Sequence, residues 1–319
     1  MDKRKIIIAG SGVFGTAIAE RLAWNNDNDV FIYSRHQSIV DEINSIHKNS
    51  KSFSTRYLNK NIKAFSELEN FKDADCIFLA IPSKAIISFC KRIKKYVSKD
   101  SLIINLAKGM SDEGAFITEK LPFEKKASMK GPTFAIELLN GFPSAFTFGG
   151  EEVDYHYIKN NVLENTGLTL DYTNDIRAVE LLSILKNMYA IAIGLVSGRY
   201  NSPNVDFLIY TKSVNEMRKF LILFDCDSST IFKYCGMGDL GLTSLNDLSR
   251  NRTLGLLVGK GFLQDNKSTT VIEGYRTIKL MYDKTKERNI TDEYPIVTAL
   301  YKLMYKEEDL TDYISSVFK

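Results

Sequence analysis

The sequence predicts an α/β protein in which a parallel-sheet domain is followed by an all-helical domain. From the start to about residue 170, short apolar runs alternate with helical patterns, as in a parallel sheet covered by helices. After residue 173 the pattern changes to long helices. With 319 residues the chain is long enough for two cores, and we expect domains at 1–173 and 174–319.

The individual elements follow from these patterns. Six apolar runs are predicted strands: Lys5–Ala9, Asp29–Tyr33, Asp75–Ile81, Ser101–Leu106, Ala127–Met129 and Ser144–Phe148. Four long helices are predicted after them: Asp175–Val196, Val205–Phe224, Gly274–Glu287 and Pro295–Tyr305. No biased linker or repeat separates the halves, so we expect them to pack with the active site in the cleft between them.

Composition excludes several classes of function. The net charge of +3 is too small for a nucleic-acid-binding surface but is compatible with an anionic small molecule. Three histidines and four cysteines without CxxC spacing predict no metal site and a reduced, cytoplasmic protein. No apolar stretch reaches about 18 residues, so neither a signal peptide nor a membrane span is expected.

A glycine motif, Gly10-Ser-Gly12-Val-Phe-Gly15, lies between the first strand and a helix predicted at Thr16–Trp24. In a Rossmann-type unit the first glycine allows a tight turn, the second lets a pyrophosphate approach the backbone, and the third allows helix and strand to touch. The N-terminus of the helix then binds the phosphates. We interpret this segment as a dinucleotide site, with a structural turn or another nucleotide-type ligand as the alternative.

The same pattern recurs at Gly236, Gly238 and Gly241, where the preceding segment is short and is interrupted by Lys233. We expect no dinucleotide binding of this kind there, because the flanking strand and small-residue helix are missing from the pattern.

The end of the second predicted strand bears on cofactor choice. Sites specific for NAD place Asp or Glu there, whereas this chain has Ser34, Arg35 and His36. An arginine can pair with a 2′-phosphate, so the sequence favours NADP(H), with NAD(H) possible. A solvated surface charge is the alternative interpretation of Arg35.

Lys186 is the candidate for acid–base chemistry. It lies in a helix that is apolar on nearly all sides, where lysine is rare without a partner or a function, although its head group could also reach the surface. A buried lysine near another cation can exchange a proton near neutral pH, and an ammonium group stabilises the oxyanion that grows during carbonyl reduction.

Four further segments supply candidate ligand contacts. Lys108 follows a predicted strand, and Gly131 with Thr133 forms a turn after another, with a surface lysine and an ordinary turn as alternatives. Asp239 could orient Lys186, bind a hydroxyl or form an Asx-turn. Ser249, Arg250 and Asn251 would suit a phosphate, or form an exposed turn.

Taken in order, these segments resemble the NAD(P)-dependent glycerol-3-phosphate dehydrogenase family of bacterial type. The matching stretches are Gly10–Ala17, Ile81–Ser83, Ala107–Gly109, Gly131–Ala135 with Glu137, Leu185–Asn187, Gly236–Leu240, Ser249–Asn251 and Glu273–Tyr275. The resemblance implies interconversion of dihydroxyacetone phosphate and sn-glycerol 3-phosphate for glycerophospholipid synthesis, and a homodimer.

The resemblance also implies roles for particular residues. Lys186 would be the proton donor and acceptor, with Asp239 beside it in the catalytic site. The residues that would line the substrate are Lys108, Gly131, Thr133, Lys186, Asp239, Ser249, Arg250 and Asn251. The residues that would line the cofactor are Gly10, Gly12, Val13, Phe14, Gly15, Arg35, His36, Lys108, Ala135, Arg250, Val271 and Glu273.

One segment departs from the family pattern. Residues Pro203–Ile209 retain Asn204, but Asp206 replaces a usual lysine and Lys212 a usual arginine, so ligand contacts from this helix are in doubt. Two alternatives stay open: a hydroxy-acid or ketopantoate-like reductase of the same architecture, and a catalytically silent NAD(P)-binding protein. The second has no need for Lys186 and Asp239.

Overall fold

The computed structural model describes residues 3–110, 115–246, 248–262, 273–306 and 309–318. The chain divides into two compact units, Met1–Glu180 and Leu181–Lys319.

The first unit is built on one eight-stranded sheet. Its strands are β1 (Arg4–Ala9), β2 (Asn28–Tyr33), β3 (Lys63–Phe65), β4 (Cys76–Leu79), β5 (Leu102–Asn105), β6 (Lys126–Lys130), β7 (Ser144–Gly149) and β8 (Leu168–Thr173). Their order across the sheet is β3-β2-β1-β4-β5-β6-β7-β8. The six neighbouring strands β3-β2-β1-β4-β5-β6 have the order of a doubly wound nucleotide-binding sheet. This order confirms the predicted Rossmann-type architecture.

Helices cover this sheet. They are α1 (Val13–Leu22), α2 (Gln37–Ile46), α3 (Ser83–Ile93), α4 (Ile117–Lys120), α5 (Ala135–Leu139) and α6 (Glu152–Tyr157). The run Ile6-Ile7-Ile8 in β1 shows why the sheet is buried on both faces. Ile6 and Ile8 pack into one apolar cluster with Ala17 and Ile18 of α1, whereas Ile7 packs into a second cluster on the other face. Continuous apolar strands of this kind are typical of parallel sheets.

The sheet differs from the sequence prediction in three respects. All six predicted strands form, but β3 and β8 were not predicted: β3 has only three residues, and β8 alternates apolar and polar residues. β7 pairs antiparallel with β6, so the sheet is not wholly parallel. The two strands are joined by residues 131–143, which contain only the five-residue helix α5.

The second unit contains only helices among its described residues. They are α7 (Ile176–Tyr200), which begins in the first unit, α8 (Pro203–Leu223), α9 (Asp239–Ser244), α10 (Arg250–Gly259), α11 (Glu273–Glu287), α12 (Pro295–Tyr305) and α13 (Leu310–Phe318). The four long predicted helices are confirmed, and α9, α10 and α13 were not predicted. Helix α7 is long and apolar enough to cross a membrane, but the relevant window is fully buried, as in the core helix of a globular domain.

A buried carboxylate joins three helices of this unit. Glu216 of α8 accepts hydrogen bonds from the main-chain nitrogens of Ile296 (3.0 Å) and Val297 (2.9 Å), at the start of α12. It also accepts one from the hydroxyl of Tyr189 on α7, at 3.1 Å. Burial raises the pKa of Glu216 to about 7, which these hydrogen bonds and Lys219 oppose. The carboxylate thus satisfies main-chain donors that α12 cannot satisfy itself.

Candidate functional site: a glycine turn and a buried ion pair

The turn between β1 and α1 requires glycine at two positions. Gly10 has φ +132°, and a Cβ there would lie 2.6 Å from the carbonyl oxygen of Ala80. A Cβ on Gly15 would lie 2.2 Å from the carbonyl oxygen of Gly10. Gly12 is different, because nothing lies within 4 Å of its Cβ position. The protein's own packing does not require glycine at residue 12, and the open space there fits a ligand that approaches the backbone.

Helix α1 presents an unblocked N-terminus at this turn. Gly12 is its N-cap residue, so no side chain caps the helix, and its first turn contains no acidic residue. The main-chain N–H groups and the positive end of the helix dipole are therefore available to an anion. A pyrophosphate fits this arrangement.

A cavity of about 620 Å³ extends from the turn along the carboxyl ends of β1, β2 and β4. Its lining includes the predicted residues Gly10, Gly12, Val13, Arg35 and His36. Two further cations, Lys51 and Arg92, also line it and were not predicted. They come from the segment after α2 and from α3, so no local motif brings them to the turn.

The other predicted cofactor residues lie elsewhere. Phe14 and Ala135 pack against the apolar core of the first unit, and Gly15 is buried beneath the turn. Lys108 follows β5 and is not among the cavity-lining residues of the described chain. Val271 and the side chain of Glu273 lie outside the described residues.

The substrate candidates of the first unit lie after β5 and β6. Lys108 is half-buried and precedes Gly109, whose φ is +149°. Gly131 has to be glycine because a Cβ there would lie 2.2 Å from the carbonyl oxygen of Ala145 in β7. Thr133 is buried, and its hydroxyl donates to the carbonyl oxygen of Gly131 at 3.4 Å. Both segments lie at the carboxyl ends of neighbouring strands, the edge where open sheets bind ligands.

The second unit contains a buried ion pair. Lys186 of α7 contacts the carboxylate of Asp239, the first residue of α9, and the two side chains are 3% and 1% exposed. The ammonium group also donates to the hydroxyl of Thr243, one turn further along α9, at 3.1 Å. Thr243 was not predicted, because only the folding of α9 against α7 brings it to the lysine. The sequence interpretation invoked a neighbouring cation; the group in contact is instead a carboxylate, which offsets the cost of burying the ammonium charge.

The second glycine pattern contributes to this pair. A short 3₁₀ helix, Ser228–Phe232, precedes it, and Tyr234–Gly238 forms a π turn that leads directly into α9. A Cβ on Gly236 would lie 2.1 Å from the carbonyl oxygen of Ile231. The described residues that precede this segment form a 3₁₀ helix and no strand, so the strand–turn–helix arrangement of a Rossmann-type unit is not formed here.

The predicted Ser249–Asn251 segment forms the start of α10. Ser249 is the N-cap residue, and its hydroxyl oxygen accepts from the main-chain nitrogen of Arg252 at 3.3 Å. Arg250 is exposed, whereas the side-chain nitrogen of Asn251 donates to the side-chain oxygen of Asn187 at 3.0 Å. Asn187 adjoins Lys186 on α7, so the structure brings Asn251 to a neighbour of the lysine.

The two units have complementary chemistry. One has a glycine turn, an open helix N-terminus and a cavity lined by cationic side chains, and the other has a buried lysine paired with a carboxylate. Such a pair of sites defines a dinucleotide-dependent oxidoreductase.

Comparison with known proteins identifies the family. The models for the N-terminus and C-terminus of NAD-dependent glycerol-3-phosphate dehydrogenase match residues 5–155 and 175–315. A glycerol-3-phosphate dehydrogenase [NAD(P)+] from Methanothermobacter thermautotrophicus is 31% identical over 97% of this chain and 96% of its own. The chain belongs to the NAD-dependent glycerol-3-phosphate dehydrogenase family. It is an NAD(P)-dependent oxidoreductase that interconverts dihydroxyacetone phosphate and sn-glycerol 3-phosphate.

Solved structures agree with this assignment. The glycerol-3-phosphate dehydrogenase of Plasmodium falciparum matches with a TM-score of 0.90 and 25% identity, over 100% of this chain and 96% of that one. A ketopantoate reductase from Ralstonia eutropha matches with a TM-score of 0.58 and 13% identity, over 95% and 99% of the two chains. The latter likeness shows a shared fold alone, so the ketopantoate-like alternative is not supported.

The glycines of the turn allow a prediction that separates folding from cofactor binding. Gly12→Ala meets open space, so we expect its melting temperature to stay within about 2 °C of wild type. Its affinity for NADPH should fall at least about tenfold, because the new methyl group occupies the approach to the backbone. Thermal unfolding and titration of NADPH fluorescence measure the two quantities.

Gly15→Ala is the matched control. Its methyl group would overlap the carbonyl oxygen of Gly10, so this variant should lose about 2 kcal/mol or more of stability. Wild-type NADPH affinity in Gly12→Ala would contradict the assignment of the turn.

Proposed function

We propose that Lys186 is the proton donor and acceptor of this enzyme. The observation that supports this role is its buried contact with Asp239 and Thr243, which holds one ammonium group in a fixed orientation. In the reductive direction Lys186 gives a proton to the carbonyl oxygen of dihydroxyacetone phosphate as negative charge grows there. In the oxidative direction it takes the hydroxyl proton back. Asp239 keeps the ammonium group in place and stabilises its charge.

The residues of the glycine turn are proposed to hold the cofactor. Gly10 and Gly12 admit the pyrophosphate to the N-terminus of α1, and Gly15 lets that helix pack closely against the sheet. The remaining proposed contacts are Val13, Phe14, Arg35, His36, Lys108, Ala135, Arg250, Val271 and Glu273. When bound, the nicotinamide supplies the hydride, and the protein supplies position and the proton.

The phosphate of the substrate is assigned to cationic and polar side chains. Arg250 suits it because a guanidinium group binds two phosphate oxygens at once, and Lys108 adds a second positive charge. Gly131, Thr133, Ser249 and Asn251 are proposed to line the remainder of the substrate. The capping bond of Ser249 uses its oxygen as an acceptor, so its hydroxyl hydrogen can still be donated to a ligand.

NADP(H) is the proposed preferred cofactor, with NAD(H) possible. Arg35, Lys51 and Arg92 line one cavity together with His36, and three positive side chains there favour a 2′-phosphate over a bare ribose. We further propose a dinucleotide-binding domain at 1–173 and a catalytic domain at 174–319. A cytoplasmic homodimer that supplies glycerophospholipid synthesis completes the proposal.

The proton-transfer role is tested by Lys186→Ala. With NADPH and dihydroxyacetone phosphate we expect kcat to fall at least about 1,000-fold, because the ammonium group that gives the proton is removed, whereas NADPH affinity stays within about twofold. Stopped-flow absorbance at the NADPH band and fluorescence titration measure the two effects. Lys260→Ala, an exposed lysine at the end of α10, is the matched control and should keep full turnover.

Unphosphorylated dihydroxyacetone tests the substrate assignment in the same assay, and its kcat/KM should be lower by about 1,000-fold or more. Comparable efficiency with this compound would overturn the phosphate assignment. Substantial turnover by Lys186→Ala would overturn the role of the lysine.

Cofactor preference is tested by reversing one charge. Arg35→Asp should raise the KM for NADPH at least about tenfold, through repulsion of the 2′-phosphate, while the KM for NADH stays the same or falls. Lys91→Asp makes the same charge change at an exposed site outside the cavity and should move neither constant. Equal KM values for the two cofactors in wild type would contradict the NADP(H) proposal.

A further inference from the structure

The buried carboxylate of Glu180 accepts hydrogen bonds from chain segments on both sides of Lys108. It is 1% exposed and lies in the part of α7 that belongs to the first unit. One oxygen accepts from the side-chain nitrogen of Asn105 at 2.6 Å, and the other accepts from the main-chain nitrogen of Thr118 at 3.3 Å. Asn105 precedes Lys108 and Thr118 follows it, so the carboxylate holds the chain on both sides of this lysine.

Asn105 passes this restraint directly to the Lys108 turn. Its side-chain oxygen accepts from the main-chain nitrogen of Ala107 at 3.0 Å, which leaves the amide fixed at both ends. Its main-chain oxygen accepts from the ammonium group of Lys130 at 2.6 Å. Lys130 is 1% exposed and immediately precedes Gly131. The same network therefore connects both proposed substrate segments of the first unit.

Burying the charged and polar groups of this network costs free energy, because they lose their contacts with water. Burial raises the pKa of Glu180, while the charge of Lys130 and the hydrogen bonds from Asn105 and Thr118 lower it. Apolar side chains of similar volume often stabilise a core as well as or better than buried ion pairs do. What the polar network adds is direction, because each hydrogen bond fixes one backbone or amide group at a defined angle.

We propose that Glu180 is a positioning residue for substrate binding, which acts through Asn105 on the Lys108 turn and with Lys130 on the Gly131 turn. This inference rests on the proposed contact between Lys108 and the substrate. Glu180 is 1% exposed, so in this proposal it acts through the two turns and not by direct contact with substrate or cofactor. Its removal misplaces Lys108 without changing the reacting groups.

The first test is the pattern of kinetic constants. Glu180→Ala should raise the KM for dihydroxyacetone phosphate between about 10- and 100-fold, while the KM for NADPH changes less than about twofold. Glu180→Gln should be partly rescued, because its amide oxygen can still accept from Asn105. If the role of Glu180 were purely structural, Glu180→Ala would lower the melting temperature and the active fraction of the protein. It would not raise the KM for dihydroxyacetone phosphate selectively.

The second test is a double-mutant cycle with Lys108→Ala. If Glu180 acts through Lys108, the effect of Glu180→Ala on the substrate KM should shrink to less than about twofold once Lys108 is absent. Combined with Arg35→Asp, a change at the cofactor cavity, the effect of Glu180→Ala should keep its full size. Additive effects of Glu180→Ala and Lys108→Ala would overturn the inference.

The outcomes distinguish this inference from the function on which it rests. An unchanged substrate KM in Lys108→Ala alone would refute the proposed contact of Lys108. A raised KM in Lys108→Ala with additive Glu180 effects would refute only the positioning role. If Glu180→Ala does not fold, Glu180→Gln and Asn105→Ala take its place in the cycle, since each weakens the same hydrogen bond. A substrate KM within twofold of wild type in both would equally refute the inference.

Discussion

The second unit has to accommodate one buried positive charge on an apolar helix, and this requirement constrains how its helices pack. Lys186 lies on α7, whose neighbouring side chains are almost all apolar and inaccessible to solvent. An ammonium group in such surroundings costs several kcal/mol unless a carboxylate and hydrogen-bond acceptors meet it there. Asp239 and Thr243 meet both needs from one face of α9. The tight turn at Gly236, which admits no Cβ, delivers α9 to that position.

The first unit follows a related rule with different groups. Its apolar strands build a rigid sheet, and the polar groups buried at the strand ends are matched to one another. Glu180, Asn105 and Lys130 form one such set, in which the side-chain nitrogen of Asn105 donates to Glu180 and the ammonium group of Lys130 donates to the main-chain oxygen of Asn105. Function is concentrated where the apolar framework ends and buried polar groups have to be satisfied.

Most of the framework could be predicted because its signals are local. An apolar strand, three spaced glycines and a small-residue helix are contiguous in sequence, and so is the apolar periodicity that surrounds Lys186. The missed elements lacked such signals: β3 has only three residues, and the antiparallel orientation of β7 is not encoded in its own local pattern. The predicted parallel sheet is confirmed except at this one pair of strands.

The candidate site was harder to predict, because its partners are distant in sequence. From the sequence, Asp239 was equally consistent with an Asx-turn. Only the packing of α9 against α7 distinguishes the two interpretations. Thr243 carries no sequence signal of its own, and Lys51 and Arg92 reach the cavity only through tertiary structure. Local patterns therefore indicated the residue types that are proposed for the chemistry, whereas the contacts between them required the fold.

We propose the Lys186–Asp239 pair as the proton-transferring unit of the enzyme. The kcat of Asp239→Asn, measured with saturating NADPH and dihydroxyacetone phosphate on protein that still binds the cofactor, tests it most directly. We predict a fall of at least about 100-fold, because the neutral amide cannot neutralise the buried ammonium charge. A kcat above half of the wild-type value would contradict the account.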